Sequence, residues 1–351
     1  MEQSVGSGAI MFHPDLLQYD NPGLPPENGR LACIVDRLIL DGLWAEAACQ
    51  ADIAPLKRLR DIHQEDYLTE LHRKAGAGVE KLDERTPLME KSFELARYGA
   101  GGVLDAVDLI MTEEISTAFV LTGMPGHHAG TKSFGGGCLI NPVAAGAHYL
   151  TKKFRQQRVA IIDLDSAHGN GTQEIFFRRR DVLTLSLHEY PGFPGSGHYS
   201  EIGDNPAKGY NINIPVPSGY GDREYLAAFK EVVVPILEQY QPEFILLAFG
   251  TGAFVDDPLS HLLVSEGGFL SLLQETMKIA RRHAHGRVIS VLEGGTPGVM
   301  MGQIILHHVM LLLKNRLSSV DKGKKTELVS YSDWYRYSKY LKAELKKYWR
   351  I

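Results

Sequence analysis

Cysteine is scarce: Cys33, Cys49 and Cys138 are the only three in 351 residues. Their wide spacing excludes a disulfide framework and a zinc ribbon, and it suits a reducing compartment. Long apolar runs are missing as well. None approaches the ~20 residues that a membrane-spanning helix needs. The opening MEQSVGSGAIMFHPD lacks a basic stretch followed by an apolar one, so no signal peptide is read. Neither sign of charge dominates. With 37 Lys and Arg against 42 Asp and Glu, the net charge is −5, which favours neither a nucleic-acid groove nor an anionic membrane surface. There is no internal repeat and no low-complexity segment. The expectation is a cytoplasmic protein with a small-molecule ligand, no nucleic-acid or membrane partner, and possible self-association.

What the chain does have is core-forming material. Hydrophobic residues make up 44% and charged ones 23%, a globular balance. Short β-branched runs recur at 8–12, 116–122, 158–165, 181–188, 243–250 and 287–295. Each is bounded by turn residues, as in strands buried on both faces. Helical periods fall at 90–112, 222–241 and 266–284. This alternation predicts an α/β fold, with a mainly parallel sheet and helices on both faces. The domain is expected over 1–315, with a C-terminal extension over 316–351. There, NRLSSVDKGKKTE reads as a connector. SDWYRYSKYLKAELKKYWR (332–350) reads as an amphipathic helix with a Ser or Asp cap. Its apolar face is Trp334, Tyr337, Leu341, Leu345 and Tyr348, and it packs on its own domain or on a second subunit.

In parallel sheets, ligands bind beyond the carboxyl ends of the strands. Five chemically rich loops fall there: GMPGHHAG, DSAHGNGT, LHEYPGFPGSGHY, GTGAFVDDP and EGGTPG. Together they predict one composite site.

These segments, with GGGCLINPVA and EIGDNPAKGYNINIPVPSGYGD, resemble the successive motifs of the histone deacetylase and acetylpolyamine amidohydrolase superfamily. The resemblance runs in order from about residue 8 to residue 313. It implies the arginase–deacetylase fold, with an eight-stranded, mainly parallel sheet. It also implies a zinc ion held by Asp, His and Asp, a tandem His pair and a catalytic Tyr, acting on acetyl-lysine or acetylpolyamine amides.

Several of those roles fall on matching residues. Asp165 matches the first aspartate ligand. His127 and His128 match the tandem pair, and Asp163 and Asn170 match their partners. Phe193 matches one aromatic wall of the acyl channel. Others are lost. The histidine ligand falls on Ala167, the second aspartate on Gly252, the catalytic tyrosine on Thr296, and the opposite aromatic wall on Gly137. Three separate chemical losses point to natural divergence rather than a single engineered change. Catalytic zinc needs three protein ligands, so zinc is not expected and no catalytic cofactor is implied. A rearranged metal site would have to use His168, Asp165 and His127 or His128. The resemblance also implies a structural potassium or sodium ion at Asp163, Asp165 and Ser186, with carbonyls of Ala167 and Leu187. A second such site would lie around Phe176, Arg179, Val182 and Tyr210. Asp83 and Glu84 fall where the family places an acidic rim residue.

Three functions are compatible with this pattern. The chain is a repurposed enzyme, doing metal-independent acid–base chemistry with His127, His128, Asp163, Asn170 and Thr296. Its widened pocket would then be bounded by Gly137, Phe193, Gly252 and Gly295. Alternatively it is a catalytically dead binding module, in which the two histidines are buried, hydrogen-bonded relics, or a residual amide deacetylase with a relocated metal. Glu189, His188, His198 and Asp257 share the rim and read as loop-structuring residues.

Overall fold

A computed structural model describes residues 8–18, 29–78, 80–296, 298–314 and 331–351. The six apolar runs all form strands: β1 Gly8–Phe12, β3 Thr117–Val120, β4 Val159–Asp163, β5 Val182–Glu189, β7 Phe244–Phe249 and β8 Val288–Leu292. Two more strands, β2 Ala48–Gln50 and β6 Asn211–Val216, complete an eight-stranded sheet. Its order is β2–β1–β3–β8–β7–β4–β5–β6, and every neighbouring pair is parallel.

Both strands that the apolar pattern missed lie at the edges. β2 is three exposed residues, Ala48, Cys49 and Gln50. β6 carries Asn211, Asn213 and Pro215. Proline donates no ladder hydrogen bond and is tolerated at an edge.

Alternation along the strands sends neighbouring residues to opposite faces. Ile10, Phe119 and Ile162 join the core under Arg30–Leu40, Glu266–His283 and Val299–Lys314. Met11, Val120 and Ile161 join the core under Ser92–Met111 and Pro142–Lys153. The expected helix at 222–241 forms as Asp222–Ala228 and Val234–Tyr240, joined by a π-turn at Phe229–Val233.

The C-terminal helix spans Tyr331–Leu345, shorter than its sequence pattern. Trp334, Leu341 and Leu345 are fully buried in the chain's own core. Tyr348 lies half-exposed over Gly209. The connector, the domain boundary and the Tyr337 side chain fall outside the described residues, and the expected caps Ser332 and Asp333 lie inside the helix, which begins at Tyr331. Among the described residues, no helix is long and apolar enough to cross a membrane.

Candidate active site

The sheet register lines up the floor of the site. Asp163 at the end of β4 pairs with Ser186 of β5, which pairs with Asn213 of β6. His127 and His128, in the loop after β3, stand above with ring centroids 4.1 Å apart. Both are almost wholly buried, and each is oriented through Nδ1. His127 donates to Asp163 Oδ2 at 2.9 Å. His128 donates at 2.7 Å to Oδ1 of Asn170, the first residue of the helix Asn170–Phe176. No hydrogen bond to either Nε2 is present among the described residues.

The two rings differ in charge. Burial opposes protonation of both. At His127 the carboxylates of Asp163, Asp165 and Glu293 outweigh it and push the pKa up to about 10. At His128 burial is joined by the positive charge of His127, and the ring is held well below its ordinary value. The surroundings thus favour protonation of His127 and disfavour it at His128.

Glu293, just past β8, is fully buried beneath this pair. Its Oε2 accepts from the N–H groups of Gly126 (2.6 Å) and His127 (3.2 Å), and its Oε1 has no partner among the described residues. Burial pushes its pKa up to about 7. The motif reading overlooked Glu293. Its only sequence signal is a lone acid between an apolar strand and two glycines.

Asp165 is occupied by peptide groups. Oδ2 accepts from Gly294 N at 2.7 Å and Oδ1 from Ala167 N at 3.0 Å. Glycine at 250 allows this close packing, since a Cβ there would lie 1.8 Å from Asp165 Oδ2. At Gly252 a Cβ would meet Ser166 Oγ at 2.4 Å, so Ser166 fills the space where a side chain would emerge. Thr296 is also engaged: its N–H and hydroxyl donate to Asp257 at 2.7 and 3.1 Å. Gly295, at φ +123°, backs onto Thr251.

Phe193 lies edge-on to His128 with centroids 4.9 Å apart. Opposite it, Gly136 has φ +55°, and a Cβ there would lie 2.5 Å from His128 Cδ2. Gly137, at φ +81°, donates its N–H to Thr86 Oγ1. Thr86 belongs to a small antiparallel hairpin, Lys81–Asp83 with Thr86–Pro87. From the hairpin turn, the Arg85 guanidinium lies 4.5 Å from the centre of the Phe193 ring. Arg85 too was missed, because nothing in LDERTP distinguishes it from a solvated charge.

Below the dyad is a cavity of about 10 Å³, lined by Asp163, Ser186, Asn213 and His168 among others. The Ser186 hydroxyl donates to His188 Nδ1, and His188 Nε2 donates to Gly197 O. His168 binds Ser196 through Nδ1, while its buried Nε2 has no partner among the described residues. Glu189 accepts from Ser218 and His261, and His198 pairs with Ser200. At the second cation position, Phe176 and Val182 are buried, Arg179 pairs with Asp181, and Tyr210 packs on Trp349.

The histone deacetylase domain family matches residues 24–312. The chain belongs to the histone deacetylase family. It is 32% identical over 292 residues to a probable deacetylase of Archaeoglobus fulgidus, covering 82% of this chain and 80% of the relative. It is 33% identical over 273 residues to a histone deacetylase-like amidohydrolase of Pseudomonas aeruginosa, covering 77% and 71%. The crystal structure of the HDA15 HD domain superposes with a TM-score of 0.87 at 26% identity, covering 99% of this chain and 96% of that one. The fold is thus that of the deacetylase domain.

The residues present do not fit the zinc that the family fold implies. Of the three ligand positions only Asp165 offers a donor, and both its oxygens already accept peptide N–H groups. Ala167 and Gly252 have no donor atom. Among the described residues, no other group of three or more His, Cys, Asp and Glu side chains is placed to hold a metal.

Proposed function

We propose that this histone deacetylase family member carries out acid–base chemistry on a small molecule without zinc. The observation that carries the reading is the pair of buried rings, 4.1 Å apart, each fixed through Nδ1 with no hydrogen bond at Nε2 among the described residues. The surroundings favour the protonated form of His127 as a donor and the neutral form of His128 as an acceptor. Asp163 and Asn170 fix the two rings, and Phe193 and Gly136 shape the approach to His128. A positioned acid or base contributes about 10²–10⁴ in rate. Thr296, bound to Asp257, holds the loop and does not replace a catalytic tyrosine.

A second reading, a binding module without turnover, is favoured by Asp165, each of whose oxygens accepts a backbone N–H. One set of measurements separates the readings. Protein purified without added metal is assayed on a panel of small acylated amines and alcohols, with and without chelator. Acid–base chemistry predicts sub-stoichiometric zinc and iron, chelator-insensitive turnover, and a loss of about 10²-fold or more in His128→Ala. Turnover that chelator abolishes and zinc restores would establish a relocated metal instead. Saturable binding with no turnover would establish the binding module.

A monovalent cation beside Asp163 and Asp165 belongs to the same proposal. Hard oxygen donors suit such an ion, and the Ser186 oxygen retains lone pairs after donating to His188. The same preparation should melt higher in potassium chloride than in choline chloride. Equal melting would remove the cation.

A further inference from the structure

A positive charge stands beside the Phe193 and His128 rings. Arg85 projects from the hairpin turn onto the exposed face of Phe193. The same ring lies edge-on to His128, so one aromatic ring separates a guanidinium from that imidazole. Among the described residues Arg85 has no carboxylate partner, although two acids precede it. Asp83 is spent on the turn itself, accepting the Arg85 backbone N–H at 2.8 Å, and Glu84 is exposed. The Arg85 charge nevertheless reaches the site, since it is one of the charges that disfavour protonation of His128.

A guanidinium held over an aromatic ring keeps N–H donors available at its edge, and that fork matches a pair of oxygens on a carboxylate or phosphate. We propose that Arg85 is a specificity-determining residue, and that the substrate carries an oxyanion, a carboxylate or phosphate, at the end that stays at the pocket mouth. A substrate ending in an ammonium group would be repelled there.

Two probes of one skeleton test this. 5-Acetamidopentanoate and N-acetylputrescine share an acetamide and four methylenes and end in a carboxylate and an ammonium. Titration calorimetry on the full chain should show the carboxylate probe binding roughly fivefold tighter, as expected for one half-exposed ion pair. Arg85→Gln should level the two affinities and Arg85→Glu should reverse their order. Arg85→Lys should keep the order, which a purely structural stacking role would not require. Displacement of the carboxylate probe by inorganic phosphate rather than by acetate assigns the head group as phosphate, and the converse assigns it as carboxylate. Equal binding in the parent, preference for the ammonium, no saturable binding of either, or an unchanged ratio in Arg85→Glu would each overturn the proposal. The inference rests on the acid–base reading only for the chemical step after binding. His128→Ala should abolish turnover yet leave the ratio intact, so the two fail separately.

Discussion

Asp163 and His127 are almost wholly buried and 2.9 Å apart. Two charges so placed depend on each other, because an unpaired ion in a low-dielectric interior costs several kcal/mol. Replacing Asp163 with Asn keeps the shape and removes the charge that most raises His127. Burial then prevails and the ring becomes neutral. Asp163→Asn is therefore expected to lose about 3–5 kcal/mol at pH 6. The cost should shrink toward alkaline pH, because His127 has a raised folded-state pKa. Its stabilisation is full below about 6.5, the unfolded value, and is lost as pH rises through about 10. Urea denaturation of parent and variant at pH 6 and pH 10 checks this. A cost that is constant or growing with pH would show that the pair is not ionised.

At the scale of elements, the C-terminal helix is tied to the domain through one acid. Glu231 in the π-turn accepts from Trp334 Nε1 at 3.2 Å and from Lys342 Nζ at 2.6 Å. Beyond the helix, Trp349 donates to Gly209 O. Because Trp334 is fully buried in the larger core, Trp334→Ala should cost about 3–5 kcal/mol. Unfolding should stay a single transition, coincident by fluorescence and circular dichroism. An early fluorescence change would mean that the helix melts on its own.

This helix was legible from its spacing alone, as were the six strands buried on both faces. The edges were not, because β2 is too short and β6 too polar to stand out as an apolar run. The site divides the same way. His127, His128, Asp163 and Asn170 announce themselves as adjacent residues or as motif positions, and the strand register brings them together. Arg85 and Glu293 gain their meaning from contacts with Phe193 and with Gly126 and His127, which no local pattern encodes.

Over the whole molecule, neutral buried histidines set the response to acid. Burial lowers His63 and His168 to about 4 and His308 to about 3, and holds His128 and His188 well below their ordinary value. Each stays neutral in the folded chain but takes up a proton on unfolding below about 6.5. Their stabilisation is present above the unfolded value and is lost as pH falls toward the folded one. The raised carboxyls oppose them. Glu293 binds its proton in the folded state up to about 7, and burial also raises Asp105, Asp163 and Asp257. The histidines prevail between pH 5 and 6.5, because five rings lowered by burial outnumber the four raised carboxyls. A net uptake of one to three protons on unfolding gives a slope on the order of 1–4 kcal/mol per pH unit. The melting temperature should therefore rise between pH 5 and pH 6.5 by roughly 2–8 °C. It should then fall as His127 gives up its proton toward pH 10. A flat or falling melting temperature over pH 5–6.5 would mean that these rings are charged or hydrated in the folded state. That outcome would remove the neutral base on which the proposed chemistry depends.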